Sequence, residues 1–533
     1  HRLHITDAAG QVLDGTLAVA DAHTLTIIVA DAAARYPLAI DPTISDSDWR
    51  VLNSGSFVPG KAVYAMAYDT ANSKLYVGGN FIAIGNVASA NGIAQWDGSV
   101  WLGLGGGIGG LNNEVFALAV SGTDLYVGGS FTTATNTDNS TITVNRIAKW
   151  SGGAWSALNN GLNNVVRALA VSGTGLYVGG GFTTPTDSST ALNFITKWNG
   201  STWSVLGSGL EGSVYALAVS GSNLYAGGQF TNAGSSPAKY IAKWSGTAWS
   251  ALGSGASNGL NSDVYALAVS GTNLYVGGKF TTAGGSPAYG IAKWNGTTTW
   301  SALGSSSLSV SVGTLAVNAL AVSGTDLYVA GKFDFAGPAV LYNIAKLDGS
   351  AWSGFGYSGL NNIAYALALG DNKLYVGGTF TTAGNKTSPY AAYVNLPSPT
   401  ATTSAAGALT ATSATLNGTV NPNGFEITGI NFDYGTSNAY GSQVAATPPT
   451  LSSSAASTEV NGPISSLSCN TSYHFRVNAT HAGGTVNGTD ATFVTSACAT
   501  GPTVTTSAAS AVTGTGATLN GSVTDVGLNV SNI

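Results

Sequence analysis

The chain has 533 residues, too long for one ordinary core, so two or more domains are expected. Only 8% of residues are charged, the net charge is −6 and no Lys/Arg cluster exists, which argues against a nucleic-acid surface. With 73 glycines and 44% hydrophobic residues it reads as many short strands joined by tight turns, neither helical nor disordered. The two cysteines, Cys469 and Cys498, suit an exported protein with one optional disulfide; two free thiols are the alternative.

In chain order, residues 1–45 come first, with alternating pieces such as Leu25-Thr26-Ile27-Ile28-Val29 and an ending Tyr36-Pro37-Leu38-Ala39-Ile40-Asp41-Pro42. They resemble the tail of a β-domain that precedes repeat regions in bacterial surface proteins. Such a segment is too short to fold alone, and is expected to pack on the larger domain C-terminal to it or to belong to a preceding one. The apolar run around Leu25 to Ala34 is too short for a membrane span. A start at His1 reads as a processed or excised piece of a precursor.

From Trp49 to Leu396 a unit of about fifty residues recurs. Its marker, Leu-Tyr-Val-Gly-Gly-x-Phe or a close variant, places Tyr at Tyr76, Tyr126, Tyr177, Tyr225, Tyr275, Tyr328 and Tyr375. Each unit carries four strand-length segments, for example 264–269, 274–278, 291–294 and 300–304, bounded by Ser-Gly, Asn-Gly or Gly-Gly turns. The seventh unit lacks its fourth segment, and Trp49-Arg50-Val51-Leu52-Asn53-Ser54-Gly55 matches Trp155-Ser156-Ala157-Leu158-Asn159-Asn160-Gly161 in frame. Residues 49–54 are therefore expected to pair with about 391–396, which removes an open edge. The fold class expected is all-β: a seven-bladed β-propeller over 46–396, closed by an N-terminal strand. The double glycine with a downstream Trp resembles the kelch repeat. Gly-Gly-x-Phe with Ile-Ala-Lys-Trp-x-Gly-x-x-Trp resembles repeats of large bacterial secreted proteins and fungal cell-surface polarity markers. That resemblance implies a propeller and an exported or surface location, but no single activity. The third strand departs from kelch, and the sixth unit has Ala330 for the first glycine and Leu347 for the first Trp.

At Pro397-Ser398-Pro399 the composition shifts to Thr, Ser and Ala. Segments 414–418, 430–435 and 473–477 alternate as sandwich strands do. The stretch from Leu467 through Tyr473 to Val477 resembles the tyrosine corner of fibronectin type III domains, so 399–498 is read as such a β-sandwich. Cys469 and Cys498 could pair across it, or stand as two free thiols. Residues 502–507 echo 399–404, so 502–533 reads as the start of a second, incomplete sandwich, truncated or completed by another molecule.

The search for chemistry yields no cofactor site. The histidines, His1, His4, His23, His474 and His481, all lie outside the repeat, and no metal-ligand spacing or nucleophile elbow occurs. Asp124, Asp263 and Asp326 are read as turn formers before the Gly-Gly strand, with calcium ligation the lesser alternative. The pairs Trp96/Trp101, Trp150/Trp155, Trp198/Trp203, Trp244/Trp249 and Trp294/Trp300 read as packing between units, worth roughly 2–3 kcal/mol each. One set of positions, just before Ala-Leu-Ala, holds Tyr64, Phe116, Arg167, Tyr215, Tyr265, Asn318 and Tyr365. It could form a ligand-binding channel rim of five aromatics, a cation and an amide. Alternation of Tyr265 with Leu267 and Val269 favours packing instead. Sequons at Asn199, Asn295, Asn385, Asn417 and Asn478 permit glycosylation.

The function expected is that of a non-catalytic extracellular or cell-surface bacterial protein, structural or adhesive, with a filament or surface layer as a variant. Its partners would be other surface proteins, further copies of itself or glycans. The rivals are a carbohydrate-binding propeller using the aromatic rim and, further off, a polysaccharide-acting enzyme.

Overall fold

The computed structural model describes residues 3–6, 12–13, 15–21, 24–29, 39–42, 49–52, 62–85, 87–88, 90–105, 110–253, 258–303, 308–337, 339–349, 351–355, 359–423, 425–452, 455–481, 484–498, 501 and 503–524. The chain is all-β: every element is a strand, all pairing is antiparallel, and among the described residues there is no helix and no sheet closed on itself. It divides into two compact units, His1–Leu396 and Pro397–Ile533.

The first unit begins with Leu3–Thr6 between Val12–Leu13 and Ala39–Pro42, beside a hairpin of Gly15–Asp21 and Thr24–Val29. Seven four-stranded sheets come after it. In the fifth, Val264–Ser270, Asn273–Gly278, Ile291–Trp294 and Trp300–Ala302 pair in sequence order. β-branched and aromatic residues favour the strands, and in the second to sixth sheets a two-residue loop led by glycine joins the first strand to the second. Gly271 in such a loop has φ +56, a region closed to most side chains.

The first strands of the seven sheets, Ala62–Asp69, Val115–Ser121, Val166–Ser172, Val214–Ser220, Val264–Ser270, Ala316–Ser323 and Ala364–Gly370, neighbour one another in cyclic order. The last lies against the first. The seventh sheet takes its fourth strand from the start of the cycle, with Val394 opposite Trp49, Tyr393 opposite Arg50 and Ala392 opposite Val51. Residues 53–54 of the expected pairing, like 31–38 and 525–533, lie outside the described residues. Trp49 is fully buried, and its indole donates to Phe355 O at 2.9 Å.

The double glycine does two separate jobs. A Cβ on the first would strike the first-strand valine of the next sheet: at Gly277 it would lie 2.5 Å from Val317 Cγ1, and Gly78, Gly128, Gly179, Gly227 and Gly377 face Val115, Val166, Val214, Val264 and Val63 the same way. The sixth sheet departs in sequence and compensates in space. Its Ala330 shares a core cluster with Ala364, which stands where the other six sheets have valine. A Cβ on the second glycine would run into the backbone of its own first strand; Gly278 meets Asp263 O and Gly228 meets Ser213 O. That crowding comes from a β-bulge.

The Trp pairs are cross-strand neighbours within a sheet, with ring centroids 4.8–5.3 Å apart. The outer indole also ties adjacent sheets: Trp101, Trp155, Trp249 and Trp300 donate to the carbonyls of Leu52, Leu104, Leu206 and Leu252.

In the second unit, a three-stranded sheet of Thr400–Gly407, Ser413–Asn421 and Thr458–Ser465 and a five-stranded sheet built on Ile427–Gly435 and Ser472–His481 share one core. Leu416, Phe432, Phe475 and Val477 are fully buried in it. Tyr473 Oη accepts the Ser468 N–H at 3.0 Å. Cys469 and Cys498, with Cα atoms 5.0 Å apart, are joined as a disulfide. Thr503–Ser510 and Thr518–Thr524 form a hairpin whose register, bulge included, repeats that of Thr400–Gly407 on Ser413–Asn421. Val504 and Leu519 are exposed on it.

Candidate functional site

Each first strand carries one β-bulge, and the extra residue is in turn Tyr64, Phe116, Arg167, Tyr215, Tyr265, Asn318 and Tyr365. A bulge leaves one residue outside the ladder and re-aims its side chain. The seven singled-out positions therefore share one backbone feature, and the second glycine of each double glycine makes room for it.

The bulge changes what alternation implies. Leu267 and Val269 pack against the hydrophobic cluster of Ile241, Val264 and Phe280, whereas Tyr265 belongs to no such cluster among the described residues. Instead, the bulge side chains meet one another. Tyr64 lies against Phe116 and Tyr365, both with centroids 5.5 Å away. The Arg167 guanidinium lies between two rings, 5.0 Å from the centroid of Phe116 and 5.7 Å from that of Tyr215. Tyr215 meets Tyr265 at 5.6 Å, and Asn318 Nδ2 donates to Ala364 O at 3.0 Å. The five aromatics are half-buried and Arg167 is exposed.

Polar groups that the sequence did not assign to this site stand around the collar. Tyr215 Oη donates to Gln229 Oε1 at 3.1 Å, and Tyr265 Oη to Asp263 Oδ2 at 3.2 Å. Lys279 Nζ is 5.3 Å from the Tyr265 ring, and Asn80 Nδ2 donates to Glu114 Oε1 at 2.7 Å. Burial raises the pKa of Tyr64, Tyr215 and Tyr265; Glu114 adds to the effect at Tyr64 and Asp263 at Tyr215. The Tyr265 hydroxyl raises that of Lys279. These phenols stay neutral donors at physiological pH. A signal did exist: the residue after the double glycine varies (Asn80, Gln229, Lys279) inside a motif that otherwise repeats.

The three aspartates separate. Asp124 and Asp326 sit at hairpins and pair with Lys149 at 3.2 Å and Lys346 at 2.6 Å. Asp263 instead precedes a first strand and stands at the collar, not in the turn before the Gly-Gly strand. Among the described residues no group of three His, Cys, Asp or Glu is placed to hold a metal ion. Of the sequons, Asn478 is buried and Asn417 donates to Ala405 O.

A cleft of about 90 Å³ lies where the seventh sheet meets the first, lined by Tyr68, Trp96, Asp97, Asp371, Lys373 and Tyr393 among others. Tyr68 replaces the valine of five other units and stacks on Tyr375 at 5.5 Å; a side chain at Gly370 would collide with its ring. Tyr68 Oη is buried without a hydrogen bond, although Asp371 and Ser73 lie near enough to affect its ionisation; burial first, then Asp371, raises its pKa.

The second unit gathers its polar chemistry on the five-stranded sheet. His474 Nδ1 is 2.7 Å from Asp490 Oδ2, and Tyr440 Oη donates to Asp490 Oδ1 at 3.0 Å. Arg476 pairs with Asp433 at 3.1 Å and lies 4.8 Å from the Tyr440 centroid. The His474 hydrogen bond is the main cause of a lowered Asp490 pKa.

No protein-family model matches the chain, and no curated protein shows significant similarity to it. Among solved structures, the sensor domain of the anti-sigma factor RsgI4 of Pseudobacteroides cellulosolvens, in a longer and a shorter form, is 24% identical over 19% of this chain and 93% and 98% of those chains. The TM-score is 0.16 for both, which carries no argument about fold or role.

Proposed function

We propose that the chain is a non-catalytic extracellular or cell-surface adhesive protein whose head is a seven-bladed, kelch-like β-propeller that binds carbohydrate at one mouth of its channel. The observation that carries the reading is the collar: seven equivalent bulges present seven side chains in cyclic order, five of them aromatic. Half-buried phenol rings beside amide and hydroxyl groups suit the apolar faces and hydroxyl edges of sugars. Support for the propeller comes from the cyclic order of the first strands and from Trp49–Val51 completing the seventh sheet. Support for a fibronectin type III-like spacer comes from the two-sheet core of residues 400–494 and from the Tyr473 to Ser468 bond.

The test is a glycan array with the full chain, followed by calorimetry on the best ligand. Replacing Tyr215 and Tyr265 by Ala is expected to lower affinity at least tenfold while tryptophan fluorescence stays native. Undiminished binding by the folded double variant refutes the collar as the site.

A further inference from the structure

The collar is not chemically uniform. From Tyr365 through Tyr64 to Phe116 it is a run of aromatic contacts. Beyond Phe116 stands Arg167, the sole cation among the bulge residues. Where the other bulge residues are aromatic or amide, this one is exposed and carries full charge.

The surroundings of Arg167 matter more than its charge. It lies against the Phe116 and Tyr215 rings, and it takes part in none of the four ion pairs found among the described residues. The neighbouring cation, Lys279, is held differently, with the Tyr265 hydroxyl and the Asp263 carboxylate both acting on it. A guanidinium flanked by rings keeps its in-plane N–H fork for another acceptor, and the best match to that fork is a carboxylate taken through two parallel hydrogen bonds. The flanking rings restrict its rotamers, so little entropy is lost when the acceptor arrives. Tyr215 and Tyr265, tilted against each other with centroids 5.6 Å apart, continue the surface on one side and Phe116 and Tyr64 on the other.

Resting on the carbohydrate reading of the collar, we infer that its ligand is an acidic polysaccharide, a chain containing uronic acid, with one uronate carboxylate on Arg167 and the adjoining sugar faces on Phe116 and Tyr215. Neutral sugars can use the rings alone; a uronate uses the rings and the fork together.

The experiment compares oligogalacturonate with its methyl ester, which keeps the sugar shape and removes the charge. Calorimetry is run on the full chain, its Arg167→Gln variant and its Tyr215→Ala/Tyr265→Ala variant. The wild type is expected to prefer the free acid by roughly tenfold or more, the preference shrinking as salt rises. Arg167→Gln should abolish the preference by lowering affinity for the free acid far more than for the ester, whereas the tyrosine variant should weaken both ligands alike. Equal wild-type affinities for acid and ester overturn the uronate assignment and leave the carbohydrate reading standing. Binding of neither ligand, with no hit on the array, overturns both. An acid preference that survives Arg167→Gln overturns the role of Arg167.

Discussion

The contact between the first glycine of one sheet and the valine of the next can be tested by exchanging sizes. A methyl group added at Gly277 would sit 2.5 Å from Val317 Cγ1, about 1 Å inside normal carbon–carbon contact. Gly277→Ala should therefore cost about 1–3 kcal/mol through overpacking. Val317→Ala removes two methyl groups from a fully buried site, worth about 2 kcal/mol with the cavity included. If the two changes were independent the double variant would lose the sum. The chain already holds the compensated version, Ala330 with Ala364, so the added methyl should fill the vacated space. The double variant is expected to recover about 2 kcal/mol relative to additivity, measured as a double-mutant cycle by urea unfolding with tryptophan fluorescence. Additivity within about 0.5 kcal/mol would refute the steric argument.

Other contacts lead to equally definite outcomes. Gly278→Ala places a methyl against Asp263 O, so it should displace the bulge and abolish glycan binding, whereas Gly271→Ala, in a remote hairpin, should leave binding intact; calorimetry separates them. Trp49→Ala empties a fully buried site and loses the bond to Phe355 O, a cost of about 3–5 kcal/mol, visible as faster amide exchange in residues 391–395. The lowered Asp490 pKa means this carboxylate stabilises the fold at pH values above its unfolded pKa of about 3.9, and the contribution is lost as pH falls through the lower folded value. Asp490→Asn should accordingly raise amide exchange in residues 472–481 at about pH 6 but make no difference below about pH 2; an equal effect at both would contradict the His474–Asp490 pairing.

The repeat made most of the strand order legible, because each four-strand unit carries its own turn residues and its own double glycine. The in-frame match of Trp49 with Trp155 located the partner of residues 391–395 across more than three hundred residues. The bulges were not legible. Strict alternation assigns Tyr265 to the face of Leu267 and Val269, and one extra residue resets that count without changing composition. The second glycine was the trace they left, but a glycine pair inside a strand has several explanations until the backbone it makes room for is seen. The His474, Asp490, Tyr440 and Arg476 cluster was hidden for a different reason: its members come together only through the register of separate strands.

The way Trp49–Val51 joins Ala391–Asn395 also sets how the protein would bear a mechanical load. The strands run antiparallel with Trp49 opposite Val394, so the chain before Trp49 and the chain after Asn395 leave from the same end of the pair. Force drawing those two segments apart peels the strands one hydrogen bond at a time and does not shear them together. The first pair to take the strain is the best anchored: Trp49 is buried, its indole holds Phe355 O, and its own carbonyl accepts from Lys386 Nζ at 2.5 Å. Pulled from both sides, the chain would thus meet its resistance at a single tryptophan, and once that ring left its pocket the rest of the clasp would open with little further work.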